Sequence, residues 1–170
     1  MDQCIILFMD LDGTLWDHGD ISVLKPPFTR ISELEFTDSL GERVRLNAMA
    51  LEILRYALNR GFITSTLSWN MPEKALEALK VMGVDRLFHY NAIEYHPDKA
   101  SMALKILGSL RREGRCLGGA SIIYIDDREI HLDDMRKALG NLLYIKAWST
   151  CRSTHECVNL IEQWLRLKQG

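Results

Sequence analysis

The chain has 170 residues, 47% of them apolar and 26% charged, with 21 Lys and Arg against 23 Asp and Glu for a formal net charge of -2. This composition excludes a disordered chain, and the near-neutral balance gives no overall attraction to nucleic acid or to an anionic membrane. No apolar run approaches a membrane span and no basic segment precedes the first apolar run, so a single domain over 1–170 is expected. It should be cytoplasmic, a monomer or weak dimer, with no membrane and no nucleic acid among its partners.

Cys4 to Met9 is an unbroken apolar run, the pattern of a strand buried on both faces. It runs into Asp10-Leu11-Asp12-Gly13-Thr14. An extended backbone would aim Asp10 and Asp12 the same way, and Gly13 permits a sharp turn out of the sheet. Residues 17–45 form an excursion with Pro26-Pro27. Within it, alternation at Glu33–Phe36 and Glu42–Leu46 around the turn Asp38-Ser39-Leu40-Gly41 predicts a hairpin. Trp16 and Phe28 are candidate contacts for a ligand's apolar part, or else pack this hairpin onto the body.

A helix is predicted from Asn47 to Asn59, with Met49, Ile53, Tyr56 and Ala57 on one face, followed by a strand over Phe62–Ser68. Asn70 then reads as the cap of a helix to about Met82, with Pro72 in its first turn, and Leu87–Tyr90 as a short edge strand. Asp98 can cap a helix carrying Met102, Ile106 and Leu110. A second buried strand, Ser121–Ile125, delivers Asp126 and Asp127 at its end. A helix near Ile130–Leu139, a strand over Leu142–Ala147 and a helix opened by Ser153 and Glu156 complete the chain. Strands alternating with helices imply a parallel sheet covered on both sides, with its ligand at the strand C-termini, where both acid pairs fall. Four cysteines, Cys4, Cys116, Cys151 and Cys157, show no zinc spacing and are expected to be reduced, although Cys151 and Cys157 are close enough in sequence to bridge.

The run DLDGT after a hydrophobic strand resembles the first motif of the haloacid dehalogenase (HAD) superfamily. The order Asp10/Asp12, Ser68, Lys99, Asp126/Asp127 is similar to its four motifs over nearly the whole chain. The resemblance implies an α/β fold, a HAD-like Rossmannoid three-layer sandwich with a central parallel sheet and a small hairpin cap insertion. The first strand would be central, between the Phe62 and Ser121 strands. It implies a Mg2+-dependent phosphomonoester hydrolase working through an aspartyl-phosphate, with Asp10 as nucleophile and Asp12 as general acid. Leu11 and Asp12 (through their amides), Ser68 and Lys99 would bind the substrate phosphate. Asp10, Asp12 (through its carbonyl), Asp127 and Asp126 would hold the metal, Asp127 being the first choice over Asp126 for the direct ligand. Substrates would be small-molecule phosphomonoesters, such as sugar phosphates, or a phosphoprotein carrying phosphotyrosine. One departure is His131, where members often carry Asp or Asn; Asp133 or Asp134 could supply that support instead. Two rivals are a phospho-receiver domain, which would place its Lys last, and a polynucleotide 3′-phosphatase, which the near-neutral charge does not favour.

Overall fold

The protein was analysed as a computed structural model, which describes residues 4–169. In chain order it comprises β1 (Ile5–Met9), β2 (Thr29–Arg30), β3 (Glu35–Thr37), β4 (Arg43–Arg45), α1 (Ala48–Asn59), β5 (Ile63–Trp69) and α2 (Pro72–Val81). There follow β6 (Tyr90–Glu94), α3 (Lys99–Arg112), β7 (Ser121–Asp126), α4 (Leu132–Leu139), β8 (Leu143–Lys146) and α5 (Thr154–Gln169). Five strands make a parallel sheet in the order β6-β5-β1-β7-β8, so β1 is central between β5 and β7 as the resemblance implies.

The apolar run of β1 has its cause in this position. Ile6 and Phe8 pack with Met102, Ala103, Ile106 and Leu110 of α3 and Met135 of α4. Leu7 and Met9 face the opposite way, into a cluster fed by α1, α2 and α5. All four are wholly buried, and each contributes about 1.5–3 kcal/mol. Alternate residues therefore serve two cores, which leaves no polar position in the strand.

The helices begin where the sequence supplies caps. Asn47 accepts the N–H groups of Met49 and Ala50 at 2.9 and 3.2 Å, and Asp98 accepts that of Ser101 at 2.9 Å. Ser153 accepts the Glu156 N–H at 3.1 Å, while the Glu156 carboxylate reaches Arg152 at 2.7 Å instead of completing a reciprocal box. Pro72 opens α2, but the residue at its cap is Met71, without a side-chain bond; Asn70 is used elsewhere.

The excursion carries the predicted hairpin, β3 against β4, and a third strand, β2, paired antiparallel to β3. Its base is closed by bonds between Asp17 and Arg45. Trp16 and Phe28 are 1% and 5% exposed, with ring centroids 6.2 and 5.2 Å from that of Phe36, so they bind the excursion to the body and are not ligand contacts. The edge strand is displaced from its expected place: Asp85–Leu87 is a short helical turn, and pairing with β5 begins at Tyr90. The apolar Leu87 and Phe88 pack against the core from that turn, which is why they imitate a strand.

The free-thiol expectation is also corrected. Cys4 is joined to Cys116 and Cys151 to Cys157, each pair with Cα atoms 5.3 Å apart. Among the described residues no helix is long and apolar enough to cross a membrane.

Candidate active site

β1 and β7 run in register, Met9 opposite Ile125, so the acids that follow them emerge side by side at the C-terminal edge of the sheet. The winding reverses here. From β1 the chain goes outward through β5 and β6, then returns to the other side with β7 and β8, and open α/β sheets hold ligands at such a point.

Lys99 is the first residue of α3, the end where a helix least favours a cation, yet it is only 1% exposed. Its ammonium bridges Asp10 Oδ1 at 2.9 Å and Asp126 Oδ2 at 2.5 Å, and these carboxylates offset both burial and dipole. Asp126 also accepts the Tyr124 hydroxyl at 2.5 Å and the Arg128 N–H at 3.0 Å. Thr14 Oγ1 lies 3.3 Å from Asp10 Oδ2 and 3.5 Å from Asp127 Oδ1, and accepts the Asp127 N–H at 3.1 Å. Its one proton serves only one carboxylate at a time.

Carboxylate oxygens of Asp10, Asp126 and Asp127 lie within 4.8 Å of one another. Three acids face one ammonium. Burial raises Asp10 well above the ordinary aspartate range; Lys99 opposes this, while Asp126 and Asp127 add to it. Asp127 is raised too, first by burial. Burial acts the same way on Asp126, but Lys99, with the Tyr124 and Arg128 hydrogen bonds, outweighs it and holds that carboxyl low. For Lys99, burial is outweighed by Asp10 and Asp126, so its pKa is raised and it stays charged. An excess of buried oxygen donors of this kind fits a hard divalent cation, with Asp10 and Asp127 the least committed to other partners. Gly13 makes room for the cluster: its φ is +70°, and a Cβ there would come within 2.4 Å of Asp127 Oδ2.

Asp12 stands apart from this cluster. The chain curls directly after β1, the Leu11 carbonyl accepting the N–H groups of Thr14, Leu15 and Trp16, so Asp10 and Asp12 do not share partners as an extended backbone would have them. Asp12 Oδ1 accepts the Trp16 indole N–H at 2.7 Å and the Ile21 N–H at 3.3 Å; Oδ2 accepts the Asn70 amide at 2.8 Å. Burial pushes its pKa up to about 6 against the pull of the Trp16 and Ile21 bonds.

Ser68, near the end of β5, is wholly buried and its Oγ has no partner. Thr66, by contrast, accepts the Ala92 N–H at 3.0 Å within the sheet. His131 is 7% exposed with Nε2 unpartnered; burial first, then Lys99, lowers its pKa, and it adds no atom to the acid cluster. Asp133 and Asp134 are exposed, Asp134 lying 3.7 Å from Lys137, so neither supports the cluster.

Sequence reading missed three members of this constellation. Thr14 lay inside the DLDGT run without an assigned role, and Asn70 was read as a helix cap. Tyr124 looks like any core aromatic and gave no signal.

No protein-family model and no curated protein matches the chain. Among solved structures, it is similar to the N-terminal part of protein BF1531 from Bacteroides fragilis, which contains a phosphatase domain and is complexed with Mg. The likeness has a TM-score of 0.52 at 16% identity and covers 85% of this chain. The chain spans 36% of the length of that one. At this identity the likeness speaks to fold, and the fold is the HAD-like α/β sandwich with a central parallel sheet.

Proposed function

We propose that the chain is a Mg2+-dependent phosphomonoester hydrolase of the haloacid dehalogenase superfamily, acting through an aspartyl-phosphate on Asp10. The observation that carries this reading is the buried Lys99 ammonium bridging Asp10 and Asp126, with Asp127 beside them at the strand ends. The phosphatase domain of the similar structure, complexed with Mg, agrees with it.

Lys99 pins Asp10 Oδ1, which leaves Oδ2, with its long Thr14 contact, as the attacking oxygen. Oδ2 bonds to phosphorus as the ester O–P bond breaks in line with it, and Asp12 gives its proton to the leaving oxygen. Asp12 Oδ1 already accepts two donors and Oδ2 one, so the proton is carried on Oδ2. Water then attacks phosphorus, returns a proton to Asp12, and releases phosphate and the Asp10 carboxylate. Lys99, the unpartnered Ser68 hydroxyl and the amides of Leu11 and Asp12 hold the equatorial oxygens. Mg2+, held by the carboxylates of Asp10 and Asp127, with Asp126 and the Asp12 carbonyl completing the set, would neutralise the phosphoryl charge that Asp10 otherwise repels. Asp12 and Asp127 are partly exposed, so the mouth is open to large leaving groups, from phosphoproteins to sugar phosphates.

The test is phosphate release from monoesters with Mg2+ and with chelator, together with hydroxylamine trapping and mass spectrometry of Asp10. Chelator-sensitive release and a trapped adduct on Asp10, both absent in Asp10→Asn, are expected. Undiminished release in either control would overturn the reading.

A further inference from the structure

A cleft of about 270 Å3 opens beside Asp12, walled by Trp69, Tyr95 and Arg128 and bordered by Asp20 and Ser22. The ends of three strands supply those walls, β5 and β6 on one side of β1 and β7 on the other. Trp69 ends β5 opposite Glu94, Tyr95 follows Glu94 at the end of β6, and Arg128 lies two residues past the end of β7. The fold makes little use of these side chains. Trp69 is 41% and Tyr95 70% exposed, and neither aromatic group nor the Arg128 guanidinium makes a hydrogen bond or ion pair among the described residues. The Arg128 backbone, in contrast, is tied to Asp126, which fixes where its side chain starts. Trp16, Phe28 and Phe36, by contrast, are consumed by packing. Two exposed aromatic groups and an unpaired arginine gathered in one cleft are the side chains that recognition sites favour.

The cleft's place relative to Asp12 decides what enters it. Asp12 is the acid assigned above to the leaving oxygen, so a group lodged here belongs to the alcohol part of the ester and not to the phosphoryl group. Trp and Tyr offer flat faces, and a guanidinium both stacks on a ring and pairs with a carboxylate through parallel N–H bonds. Asp20 shares the cleft without an ion pair to that cation, and its Oδ1 accepts the Ser22 N–H at 2.9 Å. We propose that this cleft is the leaving-group subsite and selects phosphomonoesters whose alcohol part is a flat aromatic ring bearing a carboxylate. The proposal rests on the phosphatase reading and specifies its substrate class.

The test compares kcat/KM, with Mg2+, for phenyl phosphate, meta-carboxyphenyl phosphate and β-glycerol phosphate. Arg128→Ala should lower the ratio of carboxyphenyl to phenyl phosphate about fivefold, and Trp69→Ala the ratio of phenyl to glycerol phosphate by about the same factor. Lys105→Ala, an exposed cation on α3 paired with Glu94, should change neither ratio. Calorimetric binding of phenylphosphonate and meta-carboxyphenylphosphonate supplies a readout that needs no turnover. Turnover with ratios indifferent to Arg128 and Trp69 would overturn the subsite and keep the phosphatase. Absence of turnover with Arg128-dependent preference for the carboxyphosphonate would overturn the phosphatase and keep the subsite as a binding site. Absence of both turnover and preference would overturn the two together.

Discussion

Asp10 and Asp38 are 3% and 6% exposed, and their surroundings push them in opposite directions. Asp38, in the turn between β3 and β4, accepts the N–H groups of Lys25, Leu40 and Glu42, each at 2.9 Å. Those bonds, that of Lys25 foremost, hold its carboxyl below the ordinary range. Asp10 receives one ammonium and a long hydroxyl contact, faces two further carboxylates, and is raised. A buried aspartate saturated by backbone donors organises a loop. One left short of donors among like charges stores reactivity, at a cost to the fold.

The largest effect expected from this contrast is at Asp10. Asp10→Asn should lower turnover by about a thousandfold or more, since the nucleophile is gone. The metal-free variant should melt no lower than the parent, because a carboxylate strained by burial has been neutralised while Lys99 keeps Asp126. A marked fall in melting temperature would break the contrast, placing Asp10 with the structural aspartates.

Lys99→Met should abolish detectable turnover and also destabilise the metal-free protein by about 3 kcal/mol, because it leaves the buried acids unpaired. Lys105→Met, at an exposed pair, should change stability by less than about 1 kcal/mol. Chemical denaturation of the two variants measures the difference; equal stabilities would mean that the cluster does not depend on its ammonium.

Asp12→Asn should cost much more on an alkyl phosphate than on an activated aryl phosphate, as the proton matters most for a poor leaving group. Asn70→Ala, which removes the donor to Asp12 Oδ2, should show the same leaving-group pattern at a smaller size, about tenfold on the alkyl ester. Uniform losses across leaving groups would deny Asp12 the proton-donor role.

The smallest effect is at Asp38 and runs with pH. Because its folded pKa is depressed, its stabilisation is present above the ordinary aspartate range and is lost as pH falls through the lowered value. Asp38→Ala should therefore lower the melting temperature at neutral pH, and the gap from the parent should close in acid. A gap that widens on acidification would contradict the sign.

The central strand, the helix cap at Asp98 and the two acid pairs were legible in the chain because they depend on local pattern: burial on both faces, a polar residue before a periodic run, acids at a strand's end. The edge strand was misread at Leu87–Tyr90, since apolar residues packing from a helical turn give the same short run as a strand. The short β2 escaped notice because two exposed residues carry no alternation that could betray a pairing.

By itself, the sequence determined that Asp10, Asp12, Asp126 and Asp127 end buried strands and that Lys99 opens a helix, for these facts follow from residues near one another in the chain. Only the tertiary structure decided who meets whom. Lys99 reaches Asp10 across 89 positions, Asn70 leaves its cap to hold Asp12 across 58, and Cys4 finds Cys116 across 112. Trp16 and Phe28 go to the core while Trp69 and Tyr95 stay in the light of solvent, although all four are aromatic. The physical reason is that strand order fixes which ends are neighbours, and charge pairing and packing are settled between neighbours in space.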